Sequence, residues 1–133
     1  MKCLLVLCLA VAFAMANQPI KQSWTVVHQG CQANPKTFVE EEVFEKLRKG
    51  EKVNLPNNFA DHAFCMLKDM DLQEPNGNIN TQTLKKAVQE SVQDQAKINQ
   101  ITSECSANDQ TPQKTALTLF KCLGKYHIDI GQF

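Results

Sequence analysis

Several features that commonly mark a function are missing from this sequence. Its 14 basic side chains are balanced by 14 acidic ones, which leaves no basic surplus to neutralise phosphates and excludes nucleic acid as a partner. After the first stretch of the chain no apolar run approaches the roughly 20 residues of a membrane-spanning helix, which excludes stable membrane insertion. Few segments alternate with period two, so almost no sheet is expected. Repeats, linkers and long low-complexity segments are absent, so the chain reads as one compact unit. Close cysteine pairs are absent too: Cys31, Cys65, Cys105 and Cys122 are separated by 34, 40 and 17 residues, which argues against a metal site.

What is present begins with a leader. Lys2 supplies a positive start, Leu4 to Ala14 is an unbroken apolar run, and Ala14-Met15-Ala16 places small residues before Asn17. Residues 1–16 therefore read as a secretory signal peptide, and residues 17–133 as a single domain in extracellular fluid. Removing the leader takes Cys3 and Cys8 with it and leaves a mature net charge near −1, from 13 basic and 14 acidic residues. Four cysteines remain in a small exported chain, an even number that points to two disulfides in one of three pairings.

Periodicity and punctuation predict about six helices. Ile20, Trp24, Val27, His28 and Cys31 share one face of a first helix that begins near Pro19 and stops before Asn34-Pro35. A second is expected over about Lys36 to Lys49, burying Val39, Val43 and Leu47 with Phe38 and Phe44 beside them, and ending at Gly50. A third covers about Asn57 to Asp71 and is apolar around much of its girth. Pro75-Asn76-Gly77 then breaks the chain before a fourth helix opens near Asn80 or Thr81. A fifth runs from about Asp94 to Cys105. Thr111-Pro112 reads as an N-cap and first-turn proline for a sixth, whose all-round apolar character predicts a central position.

The search for chemistry returns mostly negatives. Asn76-Gly77-Asn78-Ile79-Asn80 resembles the middle of a calcium-binding loop, but with Gly77 at the sixth position Leu72 and Thr83 stand where carboxylates are needed, so a turn and helix cap is the better reading. His28, His62 and His127 are scattered, and none falls in a catalytic motif. Asp61-His62 reads as two neighbours facing different ways on a helix surface. Glu40-Glu41-Glu42 reads as a solvated face that complements the helix dipole. No catalytic residue and no enzyme is expected. An apolar excess remains, carried by Phe38, Phe44, Phe59, Phe64, Met66, Met70, Phe120 and Phe133, which suits either an ordinary core or a ligand cavity between helices.

Cysteine order and helix order together resemble the insect odorant-binding proteins, specifically the subgroup that keeps four of six cysteines. Cys31 matches the first, Cys65 the third, Cys105 the fourth and Cys122 the sixth. The missing second and fifth would stand at Asp61 and Gln113. The resemblance implies an all-α domain of about six helices around an internal apolar cavity, with bridges Cys31–Cys65 and Cys105–Cys122. It further implies a soluble monomer or weak dimer that carries a small hydrophobic organic ligand, without a cofactor, and releases it at a receptor or membrane. A secreted signalling or interaction protein with a packed core is the alternative. The residues expected to touch the ligand, on inward faces or flanking helix ends, are Phe44, Leu47, Phe59, Met66, Met70, Leu72, Val88, Ile101, Leu117, Phe120, Leu123 and Phe133, with Tyr126 offering a phenol. The tail is expected to fold back after Tyr126, because Ile128, Ile130 and Phe133 are too apolar for a free end.

Overall fold

The computed structural model describes residues 20–131, so the leader and Phe133 lie outside the described residues. Among the described residues six helices follow one another: α1 (Ile20–Ala33), α2 (Glu41–Arg48), α3 (Phe59–Asp69), α4 (Thr81–Ser91), α5 (Gln95–Cys105) and α6 (Pro112–Lys125). Among the described residues no strand forms, and the nearest approach to one is an isolated antiparallel bridge between Gln73 and Ile79. The closest helix pairing is α3 against α6. α1 packs on α3, and α5 packs on both α4 and α6.

Local chemistry accounts for the second half of the chain. Asn80, Asp94 and Thr111 each lend a side-chain oxygen to a free backbone N–H in the first turn, at Thr83, Ala96 and Lys114 respectively. Pro112 follows Thr111 in the first turn of α6, where its missing N–H is not needed. The turn before α4 is tight: Gly77 has φ +96°, and the buried Gln73 amide donates to the carbonyls of Gly77 (2.8 Å) and Pro112 (3.1 Å). That network pins the turn to the start of α6.

The first half departs from the expected boundaries. α2 starts at Glu41 and not near Lys36, because the side-chain amide of Gln32 on α1 bonds both the carbonyl and the N–H of Val39. A segment claimed in this way by a neighbouring helix cannot also supply helical hydrogen bonds. Phe38 consequently lies in extended chain and is exposed, contrary to its expected burial beside α2. α3 is shorter than expected at both ends. Asn58, just before it, donates to the carbonyl of Phe38 instead of capping the helix.

Three helices end in the same way. After α2, α3 and α6, one residue adopts a left-handed backbone: Gly50, Asp71 and His127, with φ of 74°, 63° and 54°. In each, that residue and its successor donate back into the last turn. Gly50 and Glu51 reach Leu47 and Lys46, Asp71 and Leu72 reach Lys68 and Leu67, and His127 and Ile128 reach Gly124 and Leu123. The reversal at His127 turns the tail inward as expected, and Ile128 and Ile130 are buried in the main core.

Both bridges carry the implied pairing. Cys31–Cys65 joins α1 to α3 across a Cα separation of 6.0 Å, and Cys105–Cys122 joins α5 to α6 across 5.5 Å.

Candidate ligand site

Among the described residues the apolar interior forms two clusters. The larger contains Met66, Met70, Leu72, Val88, Ile101 and Leu123 of the expected ligand residues, all buried, with Leu117, Phe120 and Tyr126 half-buried against it. The smaller is built on Val39, Phe44 and Phe59, with Leu47 and Leu117 packed against it. Leu117 on α6 therefore touches both clusters. Periodicity placed these side chains inward but carried no information on which interior each would join.

Three clefts stand out on the surface of the described residues. One of about 250 Å³ lies between the end of α4, α5 and the end of α6, and takes in Ile101 and Tyr126 together with Val92, Lys97 and Gln100. A second of about 290 Å³ runs beside the smaller cluster, lined by Phe38, Val39, Val43 and Pro56 among others. The third, of about 460 Å³, lies between the loop after α1 and α3. The Tyr126 phenol donates to the Glu104 carboxylate, which also accepts from Lys125 at 2.8 Å. Those two bonds, Lys125 first, hold Glu104 below its ordinary pKa, and Glu104 in turn raises both Lys125 and Tyr126.

Between the two clusters stands an array that the sequence did not reveal. His28 on α1 and His62 on α3 approach to 3.2 Å between Nδ1 and Nε2. Beyond them, His28 Nε2 lies 3.0 Å from the Glu41 carboxylate and His62 Nδ1 lies 2.7 Å from the Thr37 carbonyl. Far from facing outward on a helix surface, His62 is 1% exposed, and only Asp61 of that pair reaches solvent. The clue was available: His62 lies three residues after Phe59 and four before Met66, both buried, and His28 lies four after Trp24. Trp24 stacks on His28 with ring centroids 4.9 Å apart, and Phe44 meets His28 edge-on at 4.7 Å.

Proton counting constrains this array. A carbonyl can only accept, so His62 Nδ1 must donate to Thr37, which leaves Nε2 as an acceptor when the ring is neutral. His28 Nδ1 must then donate to His62 Nε2, and His28 Nε2 lies toward the Glu41 carboxylate. Burial is the main reason His62 sits below its ordinary pKa, and the charge of His28 adds to it, against the raising effects of Thr37 and Glu41. Burial pushes Glu41 up, but bonds from Gln32 and His28 outweigh it and leave that carboxyl below its usual range.

Cys31, Cys65 and Asp69 also converge, within 4.8 Å of one another. Both sulfurs are consumed in a disulfide and lack the thiolate charge a metal ligand needs.

The described residues form an all-helical, twice cross-linked domain with a large apolar interior. Residues 13–126 match the PBP/GOBP family, and the chain belongs to this insect odorant-binding family, whose members are soluble proteins that bind small hydrophobic molecules. Two relatives from Tenebrio molitor are similar to it. The B1 protein is 26% identical over 65% of this chain, and the B2 protein 27% identical over 64%. The matched segment spans 66% of the length of each of those proteins. No solved structure matches the chain. Among the described residues no helix is long and apolar enough to cross a membrane.

Proposed function

We propose that the protein is a secreted carrier which encloses a small hydrophobic organic molecule, an odorant or other semiochemical, among its helices and gives it up at a receptor or membrane. Residues 1–16 serve as the signal peptide in this reading. Family membership is the observation that carries it, and the division of the apolar interior into two clusters supports a ligand position between them. Two clusters that share Leu117 on α6 can part more readily than one continuous core, and Met66 and Met70 on α3, with flexible side chains, adapt to cargo of varied shape. Burial of about 200–300 Å² of ligand apolar surface contributes roughly 5–7 kcal/mol, affinity between millimolar and micromolar.

The close packing of both clusters, together with the position of these three clefts at the surface, favours a second reading as a signalling or interaction protein with a filled core. A fluorescent apolar probe separates the two. The carrier binds it stoichiometrically, small organics displace it, and Leu117→Trp, where the clusters meet, weakens it severalfold. A probe that stays dark with the folded, oxidised protein removes the carrier reading.

A further inference from the structure

The largest of the three clefts contains none of the ligand residues expected from the sequence. One wall is the loop after α1, with Lys36 and Thr37. The other is a single face of α3, Asp61, Phe64, Cys65 and Lys68, spaced i, i+3, i+4, i+7. Its volume of about 460 Å³ falls in the range of small-molecule sites, roughly 300–1,000 Å³.

Both walls are fixed before anything binds. The Cys31–Cys65 bridge ties them together, the Thr37 hydroxyl donates to the Cys31 carbonyl, and the Thr37 carbonyl accepts from His62. A preorganised wall spares a ligand the cost of ordering it. The charges are unspent: among the described residues neither Lys36 nor Lys68 has an ion-pair partner, and neither does Asp61. Lys68 instead holds its ammonium 5.7 Å from the centre of the Phe64 ring. Asp61 and Lys68 lie two turns apart along α3, about 10 Å, with Phe64 between them.

We propose that this cleft is a second, external binding site for a small amphipathic carboxylate. The hydrocarbon part lies on Phe64 and the disulfide, and the anion sits near Lys68, two turns along α3 from Asp61, with Lys36 adding positive charge from the loop. Asp61 repels the anion from the other end and so sets its direction. The site is independent of the carrier reading, because it requires no opening of the interior.

Amide NMR on the full mature, oxidised chain tests it, with octanoate and 1-octanol as probes at pH 7 and low salt. Octanoate is expected to move the amides of Thr37, Phe64 and Lys68. Lys36→Gln with Lys68→Gln weakens that binding about tenfold, and Asp61→Asn strengthens it about twofold to threefold. Added salt weakens it, because the charges are exposed and screened. These residues are at the surface, so the amide spectrum itself verifies that each variant is folded. The proposal is overturned if octanoate leaves those amides unmoved, or if the double lysine variant binds it as well as the parent does. The interior reports separately through the amides of Ile101 and Leu117. Octanol shifts there without octanoate shifts in the cleft defeat this proposal alone, whereas cleft shifts that obey the charge variants uphold it whatever the interior does.

Discussion

The two halves of this small domain are held together by different means. α4, α5 and α6 each open on a side-chain cap, and in their packed interior Leu84, Ala87, Val88, Ile98 and Leu119 are all buried. Neither α2 nor α3 has such a cap. α1, α2 and α3 depend on side chains that reach across to distant backbone, Gln32 to Val39, Asn58 to Phe38 and His62 to Thr37, around a cluster of rings. The second half is stabilised by interactions that each helix could begin to make alone. The first half is stabilised by interactions that exist only once α1, α2 and α3 have met.

That difference can be broken in graded steps. The largest effect belongs to the disulfides. In the loop-entropy account, removing Cys31–Cys65 as a double alanine variant costs about 3.5–4 kcal/mol and removing Cys105–Cys122 about 3 kcal/mol. The first should also abolish amide exchange protection in α1–α3, whereas the second should leave the capped helices partly protected. Calorimetry with hydrogen exchange measures both, and equal loss of protection in the two halves would erase the distinction.

Next comes the ring array. His62→Phe keeps much of the volume but strands the Thr37 carbonyl and one nitrogen of His28, at an expected cost of about 1–3 kcal/mol by urea denaturation. A change below about 0.5 kcal/mol would mean that the array is not structural.

Acid should act on the same half. His62 sits below its ordinary value of 6.5 in the folded protein, so on acidification the unfolded chain takes up its proton first. The contribution is complete above about pH 6.5 and is lost as pH falls below that value. Glu41, held below its ordinary 4.5, withdraws its contribution in the same direction at lower pH. Exchange protection in α1–α3 is therefore expected to fall between pH 7 and pH 5 before that of α4–α6, and the reverse order would contradict the assignment.

The smallest effects are at helix ends. Asn80→Ala, Asp94→Ala and Thr111→Ala should each cost about 1 kcal/mol. Asp71→Gly and His127→Gly, by relieving a left-handed backbone, should each gain up to about 1 kcal/mol, read as a higher melting temperature.

The same asymmetry governs how much the sequence discloses. Asn80, Asp94 and Thr111-Pro112 announced their helices because a cap is a local event, and the order and spacing of the cysteines carried the family resemblance from which both bridges were read. The start of α2 was hidden because Gln32, seven residues before Val39, competes for its backbone. The His28–His62 contact spans 34 residues, and no short motif encodes it. The ends near Asp71 and Tyr126 were legible, but the left-handed backbone at Asp71 and His127 was not, because no glycine marks it. For the ligand residues, period and polarity separated inside from outside. The split into two interiors depends on how α2 folds over α3, which is a tertiary outcome.

One close approach has a spectroscopic consequence. Gly131 has φ +121°, and a Cβ built on it would fall 2.2 Å from Trp24 Cγ, so the tail backbone lies flat against the indole. The His28 ring stacks on the same indole, with centroids 4.9 Å apart. Trp24 is the only tryptophan in the chain. Its emission wavelength and quenching therefore report, without any attached label, lifting of the tail, which lets water reach the indole, and loss of the stacked imidazole. A chain carrying one fluorophore at the meeting point of its first described helix and its last described residues contains its own gauge of whether the domain is closed.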